Sequence, residues 1–143
     1  MGTISKNFSY REFEHSESAI AAGITNVITE ARVRNAVKAL TLTVLQPLRD
    51  ETGSEITVSS GFRCKELNEL VGGSDTSQHP KGEAADIWSR THTSLELARI
   101  IVEKELPFDQ LILYPTFVHV SHKLEGVQRG QILYNRRYKG ETV

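Results

Sequence analysis

Apolar positions in "TEARVRNAVKALTLTVLQPLRDETG" (29–53) recur at spacings of three and four: Val33, Val37, Leu40, Val44 and Leu48. That spacing lays one apolar stripe along a helix, with Thr29 as the expected N-cap and Gly53 as the stop. Pro47 falls inside the pattern. Proline lacks an N–H and crowds the preceding turn, so a kink or an early end is expected there. Upstream, residues 8–22 read as short helical pieces anchored by Phe8, Tyr10, Phe13 and Ile20. Downstream the pattern turns to strands. "EITVSS" (55–60) is a β-branched run, and "GEAADIW" (82–88) surrounds one acid with small and apolar residues. "FDQLILY" (108–114) and "FVHVSH" (117–122) are separated by Pro115-Thr116, and a last strand is expected near "QILYN" (131–135). Two shorter helices intervene: "CKELNELV" (64–71), ending at Gly72-Gly73, and "SLELARIIVEKEL" (94–106), with Ser94 as its expected cap. Helices first and then strands, with few crossovers, predict an α+β fold with a small, mostly antiparallel sheet and flanking helices.

No repeat, low-complexity tract or linker interrupts the 143 residues, so 1–143 is expected to form a single domain. With 17 Lys and Arg against 18 Asp and Glu, the net charge of −1 provides no field to draw nucleic acid. The basic stretch "NRRYKG" is too short to reverse this. Cys64 is the sole cysteine, so no internal disulfide can form. "MGTISKNFSYREF" holds no apolar run resembling a signal peptide. No stretch approaches the roughly 18–20 apolar residues of a membrane span. A monomer made in the cytoplasm is expected, with neither a membrane nor a nucleic-acid partner.

Chemistry concentrates in "SQHPKGEAADI" (77–87), where His79 and Asp86 lie seven positions apart. Asp86 sits in an otherwise apolar strand, where an unpaired carboxylate would cost several kcal/mol. In "FVHVSH", alternation puts Phe117, His119 and Ser121 on one face and Val118, Val120 and His122 on the other. Two histidines and one aspartate make a donor set suited to zinc, with a fourth position left open as catalytic sites require.

Together "SSGFR", "LN..VGGS..SQH..GEAAD" and "FDQLI....FVHVS" resemble the zinc D-Ala-D-Ala carboxypeptidase family, from about residue 8 to about residue 125. That group of peptidoglycan-cleaving metallopeptidases includes phage endolysins. The resemblance implies the α+β fold shared with the Hedgehog signalling domain and a zinc held by His79, Asp86 and His119. It also implies substrate contacts from Arg63, which would pair with a peptide carboxylate, and from Ser77. The expected partner is a peptidoglycan peptide, cut by a carboxypeptidase or an endolysin-type endopeptidase that acts on the wall after release.

One position departs from the family pattern. A zinc peptidase needs a proton acceptor, and the family places a glutamate three residues before the last histidine, where this chain has Thr116. Asp109 is the substitute the sequence offers first, with bracing of a loop as the alternative role expected of it. Glu83 is expected on the opposite face and solvated, His122 is expected to point away, and Tyr114 titrates too high for a base. His15 and His92 lie outside the motifs and are expected at the surface. The alternative implied by Thr116 is a catalytically silent zinc module that binds cell-wall peptide or another protein.

Overall fold

The computed structural model describes residues 2–143. A two-stranded ribbon of β1 (Thr3–Ser5) and β2 (Phe8–Ser9) leads into α1 (Tyr10–Glu14) and α2 (Glu17–Ala22). α3 (Ala31–Leu40) continues through a π-helical segment, Thr41–Leu45, into α4 (Gln46–Thr52). There follow β3 (Ile56–Ser60), α5 (Lys65–Leu70), β4 (Ala84–Ser89) and α6 (Ser94–Glu103). β5 (Gln110–Leu113), β6 (Val118–Ser121) and β7 (Gln131–Tyr134) complete the fold. The main sheet has the order β3-β4-β6-β5-β7, antiparallel throughout except for the parallel β5–β7 pair. The fold is thus α+β with a mostly antiparallel sheet and flanking helices.

The long helix keeps its stripe: Val33, Val37, Leu40, Val44 and Leu48 are all buried. Pro47 neither ends nor breaks it. The ladder is re-spaced one turn earlier, where Gln46 N–H reaches back to Thr41 O. The hydroxyls of Thr41 and Thr43 bond to Val37 O and Ala39 O at 2.8 and 2.6 Å. A π turn of this kind takes up the proline ring and its missing donor. The N-cap is Glu30, one residue beyond the expected Thr29, whereas Gly53 closes the helix in the left-handed region at φ 65° as expected. α6 is capped by Thr93, not Ser94, because Glu96 at the third helical position completes a reciprocal capping box with Thr93. Phe8, Tyr10 and Phe13 are buried, but Ile20 is 66 % exposed. The short α2 turns Ala19 inward instead.

Alternation along the strands fixes which face holds the chemistry. Ala85 and Ile87 of β4, Val118 and Val120 of β6, and Leu111 and Leu113 of β5 join the core with α3, α4 and α6. Each buried aliphatic side chain stabilises the fold by roughly 1.5–3 kcal/mol. A one-residue slip would exchange them for Asp86 and His119, so the register is strongly held. The opposite face carries the row Ser60, Asp86, His119 and Ile112, one residue from each of four neighbouring strands. Among the described residues, no helix is long and apolar enough to cross a membrane.

Candidate metal centre and cleft

Asp86 and His119 are directly opposed on β4 and β6. His119 Nδ1 lies 2.9 Å from Asp86 Oδ1. His79 arrives from the loop between α5 and β4, placing Nε2 3.5 Å from the same oxygen. The rings of His79 and His119 meet edge to face at 5.1 Å between centroids. One ligand atom from each of the three residues lies within 4.8 Å of the others. The His79 tautomer follows from its partner. Nδ1 is 2.6 Å from Gly61 O, and a carbonyl can only accept, so Nδ1 carries the proton and Nε2 presents its lone pair. This is the outer-shell bond that orients a metal-binding histidine. Burial works to raise the pKa of Asp86, but the hydrogen bond from His119 Nδ1, with both imidazoles close by, outweighs it and holds the carboxyl well below the usual carboxylate range. Two orientable imidazoles and an ionised carboxylate are a donor set that zinc fits.

The "SSGFRC" turn positions this cluster. Gly61 leaves room for α1, since a Cβ there would sit 2.8 Å from the Cα of Phe13. Asn26, which drew no attention in the sequence, staples the turn. Its Nδ2 donates to Glu14 O and Phe62 O at 2.9 Å each, and its Oδ1 accepts from Cys64 N at 2.7 Å. Asn26→Ala would strand one donor and two carbonyls in a largely buried place. We expect a loss of about 2–4 kcal/mol, read as a lower urea midpoint with an unchanged m-value.

Arg63 extends from that turn with a mostly buried side chain. Its Nε donates to Ser60 Oγ and its Nη1 to Asn68 Oδ1, both at 3.2 Å, while Nη2 lies 3.8 Å from Asp86 Oδ2. Burial pulls its pKa down from the ordinary arginine value, and Asp86 opposes that. Ser77 Oγ accepts from His79 N at 3.2 Å, so the hydroxyl braces the turn as it lines the cleft. The cleft itself has a volume of about 840 Å³ and brings together Arg63, Ser77, His79, Asp86 and His119 with Tyr114. Burial, then the charge of Asp86, raises the Tyr114 pKa, so its phenol is a hydrogen-bond donor near neutrality.

The candidate bases fare differently. Thr116 is exposed and does not line this cleft. Asp109, the substitute base offered by the sequence, does not line it either and is completely buried. Arg129 clamps it through N, Nε and Nη2, the last at 2.7 Å, and Gln78 Nε2 adds a bond at 3.2 Å. Burial would raise its pKa, but the bonds from Arg129 win and hold it at about 2. So strong an acid accepts protons poorly near pH 7, and bracing is the role its contacts support. Glu83 corrects the expectation of a solvated side chain: it is buried and lines the cleft. It precedes β4, so strand alternation does not govern it. Its Oε2 accepts from Leu124 N and its Oε1 from Gln78 Nε2. His122 points away, with Nδ1 donating to Pro107 O at 2.6 Å. His15 is exposed beside Glu17, and His92 is partly exposed beside Thr91.

Asp109 therefore sets a pH-dependent stability. Its folded pKa, about 2, lies below the ordinary 3.8. The carboxylate's contribution is complete above the unfolded value and is lost as pH falls from about 4 through about 2. The gap corresponds to about 2 kcal/mol. Asp109→Asn should cost that much at pH 7, and its difference from wild type should shrink towards zero near pH 2. Urea unfolding of both proteins across pH 2–7 measures it.

An open cleft floored by two histidines and an aspartate, with an arginine beside the carboxylate, offers the donor set of a zinc site with an open position. The chain matches the model of the family described as Peptidase M15 over residues 6–121. Over 94 residues it is 35% identical to the zinc D-Ala-D-Ala carboxypeptidase of Streptomyces albus G, an alignment covering 65% of this chain and 35% of that protein. The chain thus spans about a third of that relative's length. It belongs to the peptidase M15 family, and zinc is the metal that the relative's name and the donor set imply.

Proposed function

We propose that the chain is a zinc-dependent peptidase that hydrolyses an amide bond next to a D-amino acid in the stem peptides of peptidoglycan. One juxtaposition carries this reading. Three donors of the right chemistry converge at the floor of an open cleft, with the guanidinium of Arg63 3.8 Å from Asp86. The likeness to a zinc D-Ala-D-Ala carboxypeptidase supports the choice of substrate class.

In this reading His79, Asp86 and His119 hold the metal. When bound, zinc supplies the Lewis acidity that amide hydrolysis requires. Arg63 uses its free N–H groups to receive a substrate carboxylate, since a planar guanidinium can bind both oxygens. Ser77 shapes the adjoining wall and fixes the backbone of His79. Tyr114, protonated near neutrality, donates to the oxygen on which charge develops. Asp109, buried outside the cleft, braces two residues of its lining, Arg129 and Gln78. Glu83 is then the buried carboxylate in the cleft outside the metal set.

Digestion of purified peptidoglycan with zinc-loaded chain, followed by mass spectrometry of the released muropeptides, tests the proposal. Loss of a terminal D-alanine would identify a carboxypeptidase, and a cut within the stem or cross-link an endopeptidase. No product from a chain carrying one zinc would refute hydrolysis and favour the silent binding module.

A further inference from the structure

We infer that Asn68 is a positioning residue that sets the orientation of the Arg63 guanidinium and so determines how strongly the cleft prefers a ligand with a free carboxylate, an inference that rests on the peptidase reading above. Asn68 lies in α5, in its last turn, and is 7 % exposed. Its side chain is committed at both ends. Oδ1 accepts from Arg63 Nη1 at 3.2 Å, and Nδ2 donates to Ser74 O at 3.1 Å. Its backbone carbonyl accepts from Gly73 N at 2.8 Å. Asn68 thereby ties the guanidinium to the Gly73–Ser77 wall of the cleft, the same wall that holds His79 through the Ser77 hydroxyl.

Without that acceptor, Arg63 would keep only the Ser60 bond on Nε and the longer approach to Asp86 on Nη2. A guanidinium free to turn towards Asp86 would neutralise the metal ligand more and greet a substrate carboxylate less. Its planar fork is specific only when its plane is fixed. Gly73 provides a second handle on the same bond. A Cβ at Gly73 would fall on Asn68 Oδ1, so Gly73→Ala must push the amide off Arg63.

D-Alanine and D-alaninamide share the amine and methyl groups and differ in the carboxylate, and neither contains a peptide bond to cut. Titration of each into the zinc-loaded full chain, followed by NMR, reads the carboxylate preference without depending on turnover. Wild type is expected to favour D-alanine by about tenfold or more, the scale of a charge-assisted hydrogen bond. Asn68→Ala and Gly73→Ala should each lose most of that preference, with bound zinc unchanged. A merely structural role would lower stability and leave the ratio intact. Retention of the wild-type ratio in whichever variant folds would overturn the inference. A zinc-loaded wild type with no preference would instead remove the carboxylate role of Arg63, and this inference with it.

Discussion

His79→Ala is expected to empty the metal site and to lower peptide cleavage by a factor on the order of 10³ or more, at least about 4 kcal/mol of barrier. The reason lies in how the three donors are held. Asp86 and His119 face each other across one pair of strands and bond to each other at 2.9 Å. Left alone, they satisfy one another and offer a metal only two side chains. His79 is the third donor, already turned by Gly61 O to present Nε2. Zinc measured after dialysis should fall from near one per chain to a small fraction. The sheet does not depend on His79, so the far-ultraviolet spectrum should persist. His122→Ala is the matched control. Its imidazole is held by Pro107 O and does not line the cleft, so zinc and cleavage should remain at wild-type levels.

Gly82→Ala is expected to be the most destabilising single-methyl change near the site, on the order of 3 kcal/mol. Two costs coincide. Gly82 has φ 75°, a left-handed conformation that costs a non-glycine residue about 1–2 kcal/mol. Its Cβ would also lie 2.6 Å from Val33 O and 2.9 Å from Val33 Cγ1, where α3 passes beneath the loop. Backbone cannot yield as a flexible side chain can, and overpacking of this kind costs about 1–3 kcal/mol. The expected result is a lower midpoint in urea together with weaker zinc binding, because Gly82 joins the turn that carries His79 to the strand that carries Asp86. Gly126→Ala isolates the conformational cost. It also has positive φ, at 92°, but no atom lies within 4 Å of its Cβ position, so it should lose roughly half as much or less.

The pattern of apolar positions was enough to place the longer helices and all five strands of the main sheet, because a period of 3.6 or 2 is imposed directly by burial of one face. The β1–β2 ribbon, whose second strand falls in a segment expected to be helical, is too short to show a period. In "FVHVS" the two valines had to face the core, so His119 had to face the cleft. Asp86 was legible for a related reason: an acid in a buried strand needs partners, and His79 and His119 are those partners. What escaped the sequence depends on contacts between distant segments. Nothing in the local sequence around Asn26 announces that it will bind carbonyls from residues 14 and 62. Bracing was the alternative role expected of Asp109, but its partner, Arg129, lies twenty positions away and only the fold brings the two together. Glu83 was misplaced because strand alternation was carried one residue beyond the strand. The early end expected at Pro47 does not occur because a π turn, which leaves no simple periodic mark, carries the helix past it.

The most direct measurement is the release of new amino groups from purified peptidoglycan as zinc is titrated into metal-free chain. No release is expected without metal, then a rise in proportion to bound zinc and saturation at one zinc per chain, with no response in His79→Ala. Release at full rate in the presence of a chelator, or one tightly bound zinc with no release at all, would contradict the zinc-peptidase reading.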